Sequence, residues 1–311
     1  MMTKSAKYIN GNYYVTLDDI TGTKTYRGLR IGEEFISNFP DSIDLKITNK
    51  CSIGCPYCHE SSVGSGKSFN LERTIDVLDT LPKVGIELAI GGGDILEDSV
   101  VDDCYRLCSW AINNNFFPRL TVNSKSLALK NELNNYMEYL QDMNSIGISI
   151  DHYERSFIEK EELYFKTRVY HIIAGIFPPE DIKKLIDSGS SILILGYKDW
   201  GRAKGIPPKY DLNDWGKELK KNLYYNNRYT IGFDNLAIEQ LGIRDCMSEK
   251  SWKNFYMGNE FTHTMYMDAV SEIFAPTSRD PFRVSWNDMS ILEFFNKYKE
   301  NDKVIKKREI L

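Results

Sequence analysis

Short apolar runs alternate with longer amphipathic segments from Ile43 onward, and this alternation limits the possible folds more than any other feature of the sequence. Seven runs have the length and composition of strands: Ile43–Thr48, Ile86–Ile90, Arg119–Asn123, Ser145–Asp151, Arg168–Ala174, Ile192–Gly196 and Tyr229–Asp234. Six intervening segments have helical spacing: Leu71–Leu81, Leu96–Asn114, Leu129–Asp142, Glu154–Tyr164, Pro179–Asp187 and Leu212–Asn226. The alternation predicts an α/β fold built of βαβ units with a parallel sheet. Six or seven units favour a full or partial barrel over a small open sheet.

The two ends of the chain follow a different pattern. Tyr13–Leu17 and Lys24–Arg27 are strand-like runs joined by a polar turn, which predicts a small N-terminal hairpin. Phe261–Met267 and Glu272–Ala275 predict a second hairpin, and Ile291–Tyr298 has the apolar spacing of a helix. The predicted organisation is a hairpin appendage at 1–40, an α/β core at 41–235 and a C-terminal extension at 236–311.

The composition is that of a globular protein, with 42% hydrophobic and 27% charged residues in a chain of 311. The net charge of −5 disfavours a nucleic-acid partner, which usually requires a basic surface. No apolar stretch approaches the roughly 20 residues that span a bilayer, so no membrane partner is predicted. A cytoplasmic location is expected, because no apolar signal segment follows the N-terminus. Cysteines in that compartment bind metals or take part in catalysis more often than they form disulfides.

Three of the six cysteines fall within eight positions, as Cys51, Cys55 and Cys58. Gly54 allows a tight turn between them and Pro56 stiffens it. Three thiolates can bind one face of an iron–sulfur cluster, and because a [4Fe–4S] unit normally takes four, one iron would stay open. A structural zinc site with His59 as fourth ligand is the alternative, although the sequence lacks a second C-x2-C pair.

Polar and glycine-rich residues follow several of the predicted strands. Gly91–Asp94 follows the second strand, Asn123–Lys125 the third, and Ser149–His152 ends the fourth. The carboxyl ends of parallel strands meet at one edge of a sheet or barrel, where α/β proteins place their sites. We therefore expect these residues and the cysteines to contribute to a single site.

The cysteine motif, together with the Asp44–Lys50 stretch that leads into it, resembles the signature of the radical S-adenosylmethionine (SAM) superfamily. The resemblance covers about Ile43 to Asp234 and implies a partial (β/α)6 barrel of the radical SAM type. It implies that Cys51, Cys55 and Cys58 ligate a [4Fe–4S] cluster whose free iron chelates SAM. One electron would then cleave SAM reductively and give a 5′-deoxyadenosyl radical, which abstracts a substrate hydrogen.

The resemblance also implies a set of SAM contacts: Tyr57, Gly92, Gly93, Asp94, Asn123, Ser149, Asp151 and Leu195. Gly92 to Asp94 are similar to the Gly-Gly-Glu motif that holds the SAM amino group, with aspartate in place of glutamate. Tyr57 and Leu195 would lie near the adenine. Asn123 and Ser149 would lie near the carboxylate and ribose, and Asp151 would join them or face the substrate. Each position is also explained by a turn, core packing or a strand-end cap.

The predicted function is that of a radical SAM oxidoreductase that modifies a peptide or protein. Modification of a small metabolite or nucleoside by the same chemistry is one alternative, and a non-catalytic zinc or iron–sulfur module is the other. An external electron donor such as flavodoxin or ferredoxin is implied, and no catalytic residue is assigned. Cys104 and Cys108 lie four apart on one helix and are interpreted as core residues. Cys246 has no assigned role.

Overall fold

A computed structural model describes residues 5–18, 23–130, 140, 143, 145–165, 167–223 and 230–299. The described residues belong to two compact units. The first comprises Met1–Ser52, Ser62–Leu120 and Gly258–Leu311, and the second comprises Ile53–Ser61 and Thr121–Met257. No described helix is long and apolar enough to cross a membrane.

Strands and helices follow one another in the predicted order. The described strands are β1 Ser5–Asn10, β2 Tyr13–Asp18, β3 Lys24–Gly28, β4 Ser42–Thr48, β5 Glu87–Gly92, β6 Phe117–Asn123, β7 Ile146–Ser149, β8 Arg168–Ile173, β9 Ser191–Leu195, β10 Ile231–Phe233, β11 Thr264–Asp268, β12 Ile273–Ala275 and β13 Val284–Ser285. The described helices are α1 Leu71–Asp79, α2 Val101–Asn113, α3 Ser124–Lys130, α4 Arg155–Tyr164, α5 Pro179–Asp187, α6 Leu212–Leu223, α7 Asn235–Gln240, α8 Glu249–Phe255 and α9 Ile291–Lys299. The predicted helix Leu129–Asp142 falls almost entirely outside the described residues.

Strands β4 to β13 belong to a large mixed sheet in which most neighbouring pairs are parallel. In the first unit, β4 lies between β5 and β11 and is parallel to both. Ile43, Leu45 and Ile47 of β4 are at most 1% exposed. Because side chains alternate along a strand, these three residues lie on one face of β4 and bury it, whereas Asp44 on the other face is exposed. The mixed α/β architecture with a large, mostly parallel sheet is confirmed.

The N-terminal hairpin is confirmed as β2 and β3, to which the structure adds β1 on the other side of β2. This small sheet is attached to the start of β4 by the fully buried carboxylate of Asp41. Asp41 accepts hydrogen bonds from Tyr8 Oη at 3.0 Å, Asn10 Nδ2 at 2.8 Å and Tyr13 Oη at 2.5 Å. Burial beside this carboxylate raises the pKa of both tyrosines, so their hydroxyls remain donors.

The second predicted hairpin is confirmed as β11 and β12, and its partner across the sheet is β4. Lys46 of β4 and Asp268 of β11 form a buried ion pair at 3.2 Å. Helix α9 covers the hairpin with aromatic side chains, and Phe294 lies 5.6 Å from both Phe261 and Phe274 between ring centroids. The extension is therefore held by packing and by one buried charge pair.

The second unit contains β7, β8, β9 and β10, each parallel to the next. Their helical crossovers include α5, which has the predicted bounds and starts with Pro179 at a position where a missing N–H costs nothing. Helix α6 buries Trp215, whose indole donates to the Phe177 carbonyl at 2.8 Å. These connections leave the loops after β7 and β9 at the carboxyl ends of the strands.

Candidate iron–sulfur and SAM site

In the first unit, the loop after β5 packs against the segment that leads into Cys51. Gly93 N donates to Thr48 O and Asp94 N donates to Lys50 O, both at 2.7 Å. A Cβ on Gly93 would lie 2.2 Å from Lys50 O, so only glycine permits this approach. The glycine-rich loop is therefore required for the shape of the cysteine loop itself.

The Asp94 carboxylate is buried and accepts a hydrogen bond from Leu96 N at 3.0 Å. This contact caps the turn that follows β5, as aspartate commonly does. The Asp94 side chain is thus engaged with the backbone of its own loop.

Two further side chains of the same loop contact the residues on either side of Cys51. Neither was predicted as a site residue. Glu97 Oε1 accepts from Ser52 N at 3.0 Å, and Ser99 Oγ accepts from Lys50 Nζ at 2.8 Å. Cys51 N donates to Val63 O at 3.0 Å. No sequence motif marks Glu97, because its role depends on a partner 45 residues away in the chain.

In the second unit, the segment from Cys55 to Ser61 forms two successive turns. Cys58 N donates to Cys55 O at 3.2 Å, and Ser61 N donates to Cys58 O at 3.3 Å. Gly54 has a φ of +70° with no atom near its Cβ position, which agrees with the turn expected there. Cys51, Cys55 and Cys58 are half-buried and outside any disulfide, whereas Cys104 and Cys108 are buried as predicted.

The loop after β9 lies on this segment. Arg202 donates to the carbonyls of Cys55 and Cys58, and Lys198 Nζ is 3.4 Å from His59 Nε2. Tyr197, which is buried, donates from its hydroxyl to Ile206 O at 2.6 Å. Tyr197 and Arg202 are thus both engaged with the protein.

Charged side chains meet at the ends of β6 and β7. Lys125 Nζ is 2.6 Å from Asp151 Oδ2, and His152 Nδ1 is 2.6 Å from Asp151 Oδ1. Burial alone would raise the pKa of Asp151, but the hydrogen bonds from Lys125 and His152 hold it below its usual value. The hydrogen bond to Asp151 raises the pKa of Lys125 in turn. Asp151 is therefore a carboxylate in a compact ionic cluster.

The remaining predicted contacts of the second unit lie near this cluster or at neighbouring strand ends. Burial raises the pKa of Tyr57, with further contributions from Cys55 and Asp151, so its hydroxyl stays protonated. Asn123 Oδ1 accepts from Lys125 N at 3.0 Å and so caps α3. Ser149 ends β7 and Leu195 ends β9, and both are half-buried.

The residues present fit an iron–sulfur cluster and an adenosyl ligand. Three half-buried thiols outside any disulfide are the donor type that such clusters take. Gly91 has no atom within 4 Å of its Cβ position, so the loop after β5 is open for close backbone approach. Among the described residues, no three His, Cys, Asp or Glu side chains form a group that could hold a single metal ion.

Solved structures with this fold are found, although no protein-family model matches the sequence and no curated protein does either. The structure of SuiB from Streptococcus suis has a TM-score of 0.63 at 11% identity, covering 95% of this chain and 88% of that chain. SuiB bound to the precursor peptide SuiA has a TM-score of 0.59 at 12% identity, covering 84% of this chain and 65% of that chain. Native anSMEcpe with bound AdoMet and Cp18Cys peptide has a TM-score of 0.56 at 14% identity, covering 85% and 82%.

At these identities the likeness to SuiB and anSMEcpe shows a shared α/β fold.

Proposed function

We propose that this chain is a radical SAM enzyme in which Cys51, Cys55 and Cys58 hold a [4Fe–4S] cluster with one iron open to SAM. The observation that carries the proposal is the position of three cysteines directly after β4, in a fold similar to those of SuiB and anSMEcpe, which are radical SAM enzymes. When bound, the cluster and SAM supply reductive cleavage and a radical that removes a substrate hydrogen. We further propose that residues 41–235 form a partial (β/α)6 barrel, with the hairpin and extension as additions.

The proposed task of the chain's own residues is to bind and orient SAM. The backbone of Gly92 and Gly93 would approach the amino group through carbonyl oxygens, since the Gly93 N–H already donates to Thr48 O. The Lys125–Asp151 pair would meet the polar groups of the ligand with both charges available, since each keeps the other ionised. Tyr57, Asn123, Ser149 and Leu195 remain proposed contacts.

Metal content and SAM cleavage test this proposal. After anaerobic reconstitution, the wild-type protein is expected to bind about four irons with matching sulfide. Under strong reductant it should then release methionine and 5′-deoxyadenosine from SAM. Cys58→Ala should lose both properties, whereas Cys246→Ala, which removes a half-buried cysteine outside the motif, should keep them. One zinc per chain without iron would contradict the proposal and favour the metal-binding module.

The substrate class that we propose is a peptide or protein. The support comes from two neighbours, SuiB bound to precursor peptide SuiA and anSMEcpe bound to Cp18Cys peptide. A small metabolite or nucleoside is the second candidate, since the sequence has no cysteine after Cys246, whereas peptide-modifying members often carry several there. Because the abstracted hydrogen ends in 5′-deoxyadenosine, perdeuterated peptides and perdeuterated nucleosides can be compared as probes. Deuterium in that product from nucleosides alone would overturn the peptide assignment.

A further inference from the structure

Arg202 binds the backbone of the segment that carries two of the three motif cysteines. Its guanidinium Nη1 donates to the Cys55 carbonyl at 2.7 Å, and its own N–H donates to the Cys58 carbonyl at 3.0 Å. The same two carbonyls accept the amides of Cys58 and Ser61, which close the turns of the segment. Each turn is therefore closed by a carbonyl oxygen that also accepts a hydrogen bond from Arg202.

Gly201 makes the approach of this loop possible. Its φ is +64°, and a Cβ there would lie 2.1 Å from His59 O and 3.0 Å from Cys58 O. Those atoms are backbone, so they cannot move aside as a flexible side chain could. Gly205 in the same loop has a φ of +75° but no atom within 4 Å of its Cβ position. The two glycines thus share a left-handed backbone conformation, in which any side chain would be strained. They differ in whether that side chain would also meet backbone atoms.

Side chains of the same loop add a second layer of contacts with His59. The Trp200 ring meets the His59 ring edge-on, with centroids 6.0 Å apart. Lys198 Nζ is 3.4 Å from His59 Nε2 and 5.7 Å from the Trp200 ring centroid. The residue that follows the last motif cysteine is therefore held from the loop after β9 as well.

We propose that Arg202 and Gly201 are positioning residues that fix the segment from Cys55 to His59 and keep a positive charge beside its thiolates. The part of this inference that concerns the cluster rests on the proposed function; the part that concerns the segment does not. A guanidinium bound to a carbonyl is a charge-assisted contact with fixed geometry. A nearby positive charge favours the reduced cluster, which carries one more electron, and so raises its reduction potential.

Hydrogen exchange in iron-free protein tests the positioning without any cluster. Gly201→Ala is expected to speed exchange of the Cys58 and Ser61 amides severalfold, because its Cβ would displace the loop. Gly205→Ala is the matched control and should leave those amides as in the wild type. Equal exchange in Gly201→Ala and wild type would overturn the positioning role.

Reconstituted protein tests the charge. Arg202→Gln is expected to lose iron to a chelator about tenfold faster than the wild type. Removing a group that holds a metal ligand in place commonly weakens metal binding by this much. The cluster of Arg202→Gln should also have a more negative reduction potential. Arg202→Lys keeps the charge and should restore the potential, which a purely structural role would not predict. Lys204→Gln removes an exposed charge from the same loop and should change neither value.

The role of the charge would be overturned if Arg202→Gln kept the wild-type rate of iron loss and reduction potential. Equal shifts of these two values in Arg202→Gln and Lys204→Gln would overturn it as well. If the wild-type protein takes up no four-iron cluster, the proposed function fails. The exchange experiment then still decides whether Gly201 positions the segment.

Discussion

A single glycine decides whether the loop after β5 can meet the loop that carries Cys51. A methyl group on Gly93 would lie 2.2 Å from Lys50 O and 2.9 Å from Lys50 C, both backbone atoms. We therefore expect Gly93→Ala to lower the free energy of unfolding by about 2–3 kcal/mol, the range of an overpacked site. Urea unfolding of iron-free protein measures this change.

Gly91→Ala is the matched control for that substitution, because no atom lies within 4 Å of its Cβ position. Its stability should stay within about 0.5 kcal/mol of the wild type. Equal destabilisation by the two substitutions would show that the close approach of Gly93 to Lys50 does not matter.

The residue types of the site were readable from the sequence, but their contacts were not. The motif spacing predicted Cys51, Cys55 and Cys58, and the strand-end pattern predicted Asp151. Glu97 gave no comparable signal, since it acts through a backbone group that is distant in the chain. A polar side chain in a loop gives the same sequence pattern whether it faces water or binds such a backbone group.

At the scale of elements, one buried histidine, His263, links the N-terminal hairpin to β11, the strand that directly follows it in the chain. His263 Nδ1 lies 3.0 Å from Tyr13 Oη and 3.8 Å from Asp41 Oδ2. Burial lowers the pKa of His263 from 6.5 to about 4; Asp41 opposes this shift and Lys24 adds to it. The neutral form of the imidazole is therefore the one that the folded protein accommodates.

This shift predicts a loss of stability in mild acid. Between pH 6.5 and 4 the unfolded chain binds more protons than the folded one, so the free energy of unfolding falls as the pH is lowered through that window. The loss attributable to His263 is about 2–3 kcal/mol. His263→Gln should remove this share of the loss from urea unfolding curves measured across the window, while His171, whose pKa burial also lowers to about 4, keeps its own share. His152→Gln, which removes an exposed histidine, should keep the His263 share, and the same slope in both variants would contradict the assignment.

Two ion pairs attach the C-terminal hairpin to its surroundings, and they differ in burial. The side chains of Lys46 and Asp268 are 8% and 7% exposed, whereas those of Arg73 and Glu272 are 40% and 34% exposed. Removing one charge from a buried pair leaves the other uncompensated, so Asp268→Asn should cost about 3 kcal/mol. Glu272→Gln should cost less than about 1 kcal/mol. Thermal unfolding compares the two, and equal costs would contradict this ranking.

For the molecule as a whole, local pattern predicted which elements form, and long-range pairing stayed outside its reach. The hairpin of β11 and β12 was expected, but its parallel pairing with β4 joins residues more than 200 positions apart. Strand β1 was missed because its inward side includes Asn10, a polar residue whose buried amide is satisfied only by the distant Asp41 and Phe39. Spacing and periodicity carry no information about such partners.

Ligand linkage gives the prediction that belongs to the whole chain. A ligand that binds only the folded protein stabilises it by about 2.7 kcal/mol at a concentration 100 times its Kd. If SAM binds through an open iron, this stabilisation should appear in anaerobic thermal unfolding of reconstituted protein. It should vanish after the iron is removed by a chelator, and in Cys58→Ala, while Cys246→Ala keeps it. An equal rise in Tm with SAM before and after iron removal would mean that SAM binds without the cluster, which would contradict the proposed arrangement.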